Sequence, residues 1–368
     1  MTEKLVNQYT PEIVSAPGET LAEILDDRGM TQAELAERMG RPKKTINEII
    51  GGRAELTPET ALQLERVLGV PASFWGNLER HYRDFVARQQ ENEQLAKYAE
   101  WPPLFPVREM INLGWMAHAS NKIDQVRALL AFFGVSSTEQ WDSRYKSELA
   151  AFRLAKSVAP NVYSLTAWLR EGERCAHRID CAPFDQARFR KALLEARALT
   201  AERDANKSIA DLTRLLAPCG VAVVLIPELT GSRACGATRW LGPQKAMIQL
   251  SLRYKSNDQL WFSFFHEAAH VVLHGKKDVF VEIAGGRSGS AEREAEADRW
   301  AADRLIARLD LQRLIERRPL SREAITSFAK EVGIAPGIVV GRLQHDQEIP
   351  YSHFNDLKVR YRWVHEGD

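Results

Sequence analysis

Residues 259–275 read QLWFSFFHEAAHVVLHG. The run is apolar around most of a helical circumference, yet it carries His266, Glu267 and His270 in its middle. Unpartnered polar groups in such a helix cost free energy, so their presence calls for a chemical reason. Two histidines at i and i+4 project from one face, one turn apart, and can grip a single divalent ion. Glu267 projects beside them and is placed to take a proton from water, the role of a catalytic base. In a chain of this composition an accidental HExxH is expected on the order of 0.02 times.

A catalytic zinc needs a third protein ligand and one open position. Residues 291–306, AEREAEADRWAADRLI, carry Glu292, Glu294, Glu296 and Asp298 at helical spacing. Glu294 and Asp298 are i and i+4 and share a face. Glu296 lies about 200° around the helix from Glu294. In zinc peptidases of this general kind an ExxxD helix supplies a metal ligand and a carboxylate that orients a ligand histidine. Glu294 is therefore expected as third ligand and Asp298 as the partner of His266 or His270, with Glu296 as the alternative ligand. His274, one further turn along, Cys235 in GSRACGATRW, and Arg239 and Trp240 are weaker candidates for the same neighbourhood.

Outward from this helix, strand signals are concentrated in residues 221–226 (VAVVLI) and in residues 246–252 (AMIQLSL), after the turn LGPQK. Helical patterns cover 259–273, 291–307 and 321–340. Residues 107–202 are rich in Ala, Leu, Arg and aromatics at helical spacing, and the tryptophans there read as core. WPPLFP, at 101–106, breaks a charged helical run over 83–100 and marks a boundary. With 368 residues, 45% of them hydrophobic and 27% charged, the composition excludes an intrinsically disordered or fibrous chain. The formal charge is +1, so a signal for nucleic acid must be local. No apolar run reaches 18 residues, so no membrane span is expected. The start, MTEKLVNQYTPEIVS, lacks the apolar core of a signal peptide. The four cysteines form no CxxC pair, and a reducing cytoplasm is expected.

A local basic signal lies near the amino terminus. Thr31-Gln-Ala-Glu34 has the form of a capping box that opens a helix with Leu35, Ala36 and Met39 on its apolar face. Gly40 ends it, and Thr45, Ile46, Ile49 and Ile50 begin a second helix face. A helix, a glycine turn and a second short helix form a helix-turn-helix. Arg41, Lys43, Lys44 and Arg53 against Glu48 make this segment net +3. The basic side chains are expected on phosphates, Thr45 and Asn47 on base edges in the major groove, and Gln32 on a phosphate at a helix N-terminus.

The stretch from PGETLAEILDD through TQAELAERMG and TPETALQLERVLG to FWGNLE resembles the XRE/HigA-type antitoxin helix-turn-helix over about residues 16–80. HEAAHVVLHG followed by EREAEADRWAADRLI resembles the ImmA/IrrE zinc metallopeptidases over about residues 205–310. Asp298 stands where that family commonly has Asn, Trp300 where it has Phe, and RLIARLD where it has a proline-bearing loop. Together the resemblances imply a mostly α chain with a small β-sheet, an α+β protein joining an all-α helix-turn-helix domain to a zincin-like domain. The expected limits are 10–85 for the DNA-binding domain, 86–204 for a helical middle region, 205–310 for the peptidase and 311–368 for a helical extension of it. The resemblance further implies Zn2+ as cofactor, double-stranded operator DNA bound as a homodimer, and cleavage of a repressor or toxin–antitoxin component, or of the chain itself. Residues 246–252 match the edge strand on which such peptidases hold an extended peptide. The alternative is a HigA-like repressor whose second half binds a toxin or senses a signal without proteolysis.

Overall fold

In the computed structural model, which describes residues 14–146, 160–276, 278–287 and 290–363, contacts divide the chain into Met1–Ala99 and Glu100–Asp368. The start read above for a leader and residues 147–159 of the middle stretch lie outside the described residues, apart from 14 and 15.

The first unit is helical: α1 Pro17–Asp27, α2 Gln32–Met39, α3 Lys43–Ile50, α4 Pro58–Leu68 and α5 Ala72–Ala96. Thr31 caps α2 by accepting from the Glu34 N–H at 3.2 Å, while the Glu34 carboxylate takes Arg38 at 2.6 Å, an i,i+4 pair. Gly40 closes α2 at φ 65°, a conformation that favours glycine, and the chain turns into α3. Gly18 has a stricter role: a Cβ there would sit 2.2 Å from the Ile49 carbonyl oxygen and 2.5 Å from that of Ile50. The first turn of α1 therefore lies directly on the end of α3. Leu21, Leu35, Ile46, Leu64 and Trp75 are fully buried between the helices. Each aliphatic side chain so buried contributes about 1.5–3 kcal/mol.

The second unit begins with α6 Val107–Asn112, α7 Lys122–Phe133 and α8 Thr138–Trp141, followed by α9 Val162–His177, α10 Gln186–Ala196 and α11 Ala205–Leu216. The tryptophans of this stretch are core, as read: Trp141 stacks on Tyr163 at 5.3 Å and meets Trp101, Phe105 and Phe133 edge to face. A mixed sheet follows, with β1 Val221–Leu225, β2 Ala234–Gly242, β3 Lys245–Leu250, β4 Phe280–Ile283 and β5 Gly286–Arg287. Its order is β1-β3-β2-β4-β5, with β1 and β3 parallel and the other pairs antiparallel. The rest is helical: α12 Asn257–Leu273 between β3 and β4, then α13 Ala291–Leu305, α14 Arg308–Glu316, α15 Arg322–Val332 and α16 Pro336–His345. The chain is thus mostly α with a small mixed sheet. Among the described residues no single helix is long and apolar enough to cross a membrane.

Two strand expectations need correction. β3 is not an edge, because it lies between β1 and β2. Although its sequence alternates, it is buried along nearly its whole length. Gln249 donates from Nε2 to the Trp168 carbonyl of α9 at 2.7 Å, so its amide nitrogen finds an acceptor inside rather than in water. The central strand β2 was not anticipated at all. Its sequence, ACGATRWLG, has two glycines and small side chains, a weak strand signal.

The start of α12 is tied to the end of the chain. Asn257 N–H donates to the Val359 carbonyl at 3.0 Å, and Val359 N–H donates to Asn257 Oδ1 at 3.1 Å. Lys358 Nζ meets the buried Asp258 carboxylate at 2.7 Å.

Candidate functional site

α12 is buried over most of its length because the sheet, α13 and α16 pack around it. His266, Glu267 and His270 are 1%, 0% and 2% exposed. Such a position is tolerable only if each polar atom has work to do.

The two imidazoles converge. His266 Nε2 lies 3.0 Å from His270 Nε2. Glu294, in the first turn of α13, places Oε2 3.1 Å from His266 Nε2 and 3.8 Å from His270 Nε2. The three residues offer ligand atoms that all lie within 4.8 Å of one another. Ligands about 2.0–2.1 Å from a tetrahedral zinc stand roughly 3.3 Å apart, so the set fits such an ion in donor type and in spacing. Asp298, one turn beyond Glu294, holds His266 Nδ1 at 3.0 Å. Of the two histidines open at the sequence level, Asp298 therefore meets His266. Glu296 does not join the donors: its Oε2 faces His274 Nε2 at 3.4 Å.

Glu267 points to the sheet side. Thr238 Oγ1, on β2, donates to Glu267 Oε2 at 2.6 Å. Oε1 is buried and has no protein hydrogen-bond partner. Gly236 makes this possible, since a Cβ there would stand 2.6 Å from Oε1. Burial, together with the neighbouring Glu282 and Glu294, pushes the Glu267 carboxyl up to about 8 despite the opposing influences of His266 and Thr238. For His266, burial works against the charged form, but the hydrogen bonds to Asp298 and Glu294 outweigh it and raise the imidazole to about 10. A cation among these donors competes with that proton.

A cleft of about 990 Å³ opens beside the donors, bordered among others by Tyr254, Phe262, Glu282, Glu294 and Asp298. Arg239 and Trp240 do not border it. Arg239 helps to hold the Glu173 carboxyl below its ordinary value, and Trp240 packs against Phe184 at 4.8 Å with Lys276 over its ring at 4.5 Å. Cys235 is buried, with its thiol pushed up to about 12 by burial and by Glu282, and it is not among the grouped donors. Gly236, Thr238 and Phe280 of this site escaped the sequence reading. Phe280 stacks on the His270 ring at 3.9 Å. The only signal was the small-residue run GSRACGAT, which marks a close backbone approach only once the partner is known.

In the first unit, Lys43, Lys44, Asn47 and Arg53 are exposed, and Gln32 and Thr45 are half-buried. Lys44 is held loosely by Glu48 at 3.8 Å. Arg41 is engaged inside the domain: its Nε hydrogen-bonds Gln63, and Glu59 stands 3.7 Å away.

The helix-turn-helix family model matches residues 21–75, and the IrrE N-terminal-like domain model, of the M78 peptidases, matches residues 232–344. The chain is 35% identical over 63 residues to the uncharacterized HTH-type transcriptional regulator YddM of Escherichia coli, covering 17% of this chain and 67% of that protein. It is 35% identical over 89 residues to antitoxin HigA-1 of Vibrio cholerae, covering 24% of this chain and 81% of that one. A solved addiction module antidote protein of the HigA family from Coxiella burnetii is 31% identical, covering 23% of this chain and 91% of its own, with a TM-score of 0.21. The chain belongs, through its first unit, to the helix-turn-helix regulators of the XRE/HigA antitoxin type, and it joins to that DNA-binding domain an IrrE/ImmA-like peptidase domain.

Proposed function

We propose that this regulator is a zinc-dependent endopeptidase that cleaves a regulatory protein, a repressor or toxin–antitoxin component or the chain itself, while bound to operator DNA as a homodimer in the cytoplasm. The observation that carries the reading is the convergence of His266, His270 and Glu294 beside a buried Glu267 whose Oε1 has no protein hydrogen-bond partner. Zinc held by His266, His270 and Glu294 would supply Lewis acidity, polarising a peptide carbonyl and acidifying a water. Glu267 moves the proton: it takes one from the water whose oxygen attacks the carbonyl carbon, and passes it to the amide nitrogen as the C–N bond breaks. Asp298 orients His266, and Thr238 fixes the Glu267 carboxylate. In the first unit, Lys43, Lys44 and Arg53 serve phosphates, Asn47 and Thr45 read bases, and Gln32 meets a phosphate at the start of α2.

Glu267→Gln tests the peptidase directly. It is expected to keep zinc and to lose cleavage of a candidate repressor by about 10²- to 10⁴-fold. Equal cleavage by variant and wild type would remove Glu267 from the mechanism. The match over 81% of an antitoxin favours a second reading, a repressor whose second unit binds a toxin without proteolysis. Incubation of the purified chain with candidate repressors and toxins, with zinc and with EDTA, separates the two. Toxin capture that is indifferent to EDTA, with no fragments formed, selects the second.

A further inference from the structure

His274 and Glu296 have no part in the chemistry above. His274 lies where α12 stops: it is the C-cap, with extended backbone at φ −112° and ψ 169°, and its N–H still bonds the His270 carbonyl at 3.1 Å. Its ring turns back over the last turn and is buried, its side chain only 5% exposed. Phe280 packs against both imidazoles, at 3.9 Å from His270 and 5.1 Å from His274. His270 Nδ1 and His274 Nδ1 are 2.9 Å apart. Beyond them, His274 Nε2 faces Glu296 Oε2 at 3.4 Å.

We infer that His274 is the positioning residue for His270, with Glu296 behind it, so that the two metal-binding imidazoles are anchored to carboxylates of α13 by routes of different length. The inference rests on the metal reading of the site. The polarity of the contacts supports it. If His270 offers Nε2 to a metal, its ring proton must reside on Nδ1. The 2.9 Å contact then runs from His270 N–H to a bare Nδ1 on His274. The proton of neutral His274 is thereby left on Nε2, a buried atom that makes no hydrogen bond here and has the Glu296 carboxylate 3.4 Å away as an acceptor it can turn to. His266 uses the same device with one link fewer, donating from Nδ1 straight to Asp298 at 3.0 Å. Glu296, about 200° around α13 from Glu294, cannot share the Glu294 face. The intervening imidazole lets it act on the site from the side.

The test is zinc affinity of the full-length chain, measured against a chromophoric chelator. His274→Ala is expected to weaken zinc binding by on the order of ten- to a hundredfold. His274→Asn, whose amide oxygen falls near the lost Nδ1, is expected to restore most of that loss. Glu296→Gln, at a side chain 54% exposed and thus safe for folding, is expected to cost about three- to tenfold. Nitrogen NMR of the zinc-loaded wild type should find the proton on Nδ1 of His270 and on Nε2 of His274. Wild-type affinity in His274→Ala or Glu296→Gln, equal losses in the alanine and asparagine variants, or a proton on Nδ1 of His274 would each overturn the inference while leaving the metal reading intact. A wild-type chain that binds no zinc would overturn both.

Discussion

Helix α3 buries Ile46 and Ile49 and leaves Lys43, Lys44 and Asn47 in solvent, whereas α12 buries His266, Glu267 and His270 along with Trp261, Phe264 and Phe265. In the first case the residues that make the fold and the residues proposed to meet DNA are different residues. In the second the buried residues are also the ones proposed to carry the chemistry, held in place by partners from β2, β4 and α13. Substitutions in the first unit should therefore separate binding from stability, and substitutions around α12 should not.

The largest departure from ordinary behaviour is expected inside the second unit. With its thiol raised from 9.0 to about 12, Cys235 should hold on the order of a thousandfold less thiolate at pH 8 than a free cysteine. Alkylation of the native chain followed by mass spectrometry should leave Cys235 unmodified until denaturant is added. Rapid labelling of the native chain would mean that the β2 side of the site is open. Next in size is Lys358→Met, which leaves Asp258, 4% exposed at its side chain, without its cation. A cost of about 3–5 kcal/mol is expected. Hydrogen exchange should show α12 losing protection while α1 to α4 keep theirs, and unchanged protection of α12 would break the contrast. In the first unit, Asn47→Ala should weaken operator binding by about 1–3 kcal/mol with no change in melting, if the side chain reads a base. Smallest is Lys44→Ala, which should lower the salt dependence of DNA binding by about one unit of slope and affect all sequences alike. Sequence-selective loss there would move Lys44 from phosphate to base.

What could be read in advance follows the same division. The capping threonine of α2, the glycine turn and the apolar face of α3 are local signals, and they appear in the structure where periodicity puts them. The HExxH spacing is local too. The choice between Glu294 and Glu296 is not, because two carboxylates of one helix differ only in phase, and the phase acquires meaning only when α13 is docked on α12. β2 was hidden for a related reason. Gly236 weakens the strand signal, and what selects glycine there is the Glu267 carboxylate, thirty-one residues further along the chain. The central place of β3 was equally unreadable, since a buried glutamine bonded to a backbone carbonyl looks, in a sequence, like a wet face.

The hydrogen-bonded seam between Asn257 and Val359 bears on how this protein can be dissected in the laboratory. A fragment trimmed to residues 232–344, the extent of the IrrE-like match, would retain the whole HExxH helix yet discard the segment that closes its first turn, the strand β1 that pairs with β3, and α9, whose Trp168 carbonyl accepts from Gln249 of β3 at 2.7 Å. Expression plasmids drawn to those limits should yield insoluble or proteolysed product, and a cut placed near residue 100, with the carboxyl end left native, is the safer choice for isolating the peptidase half.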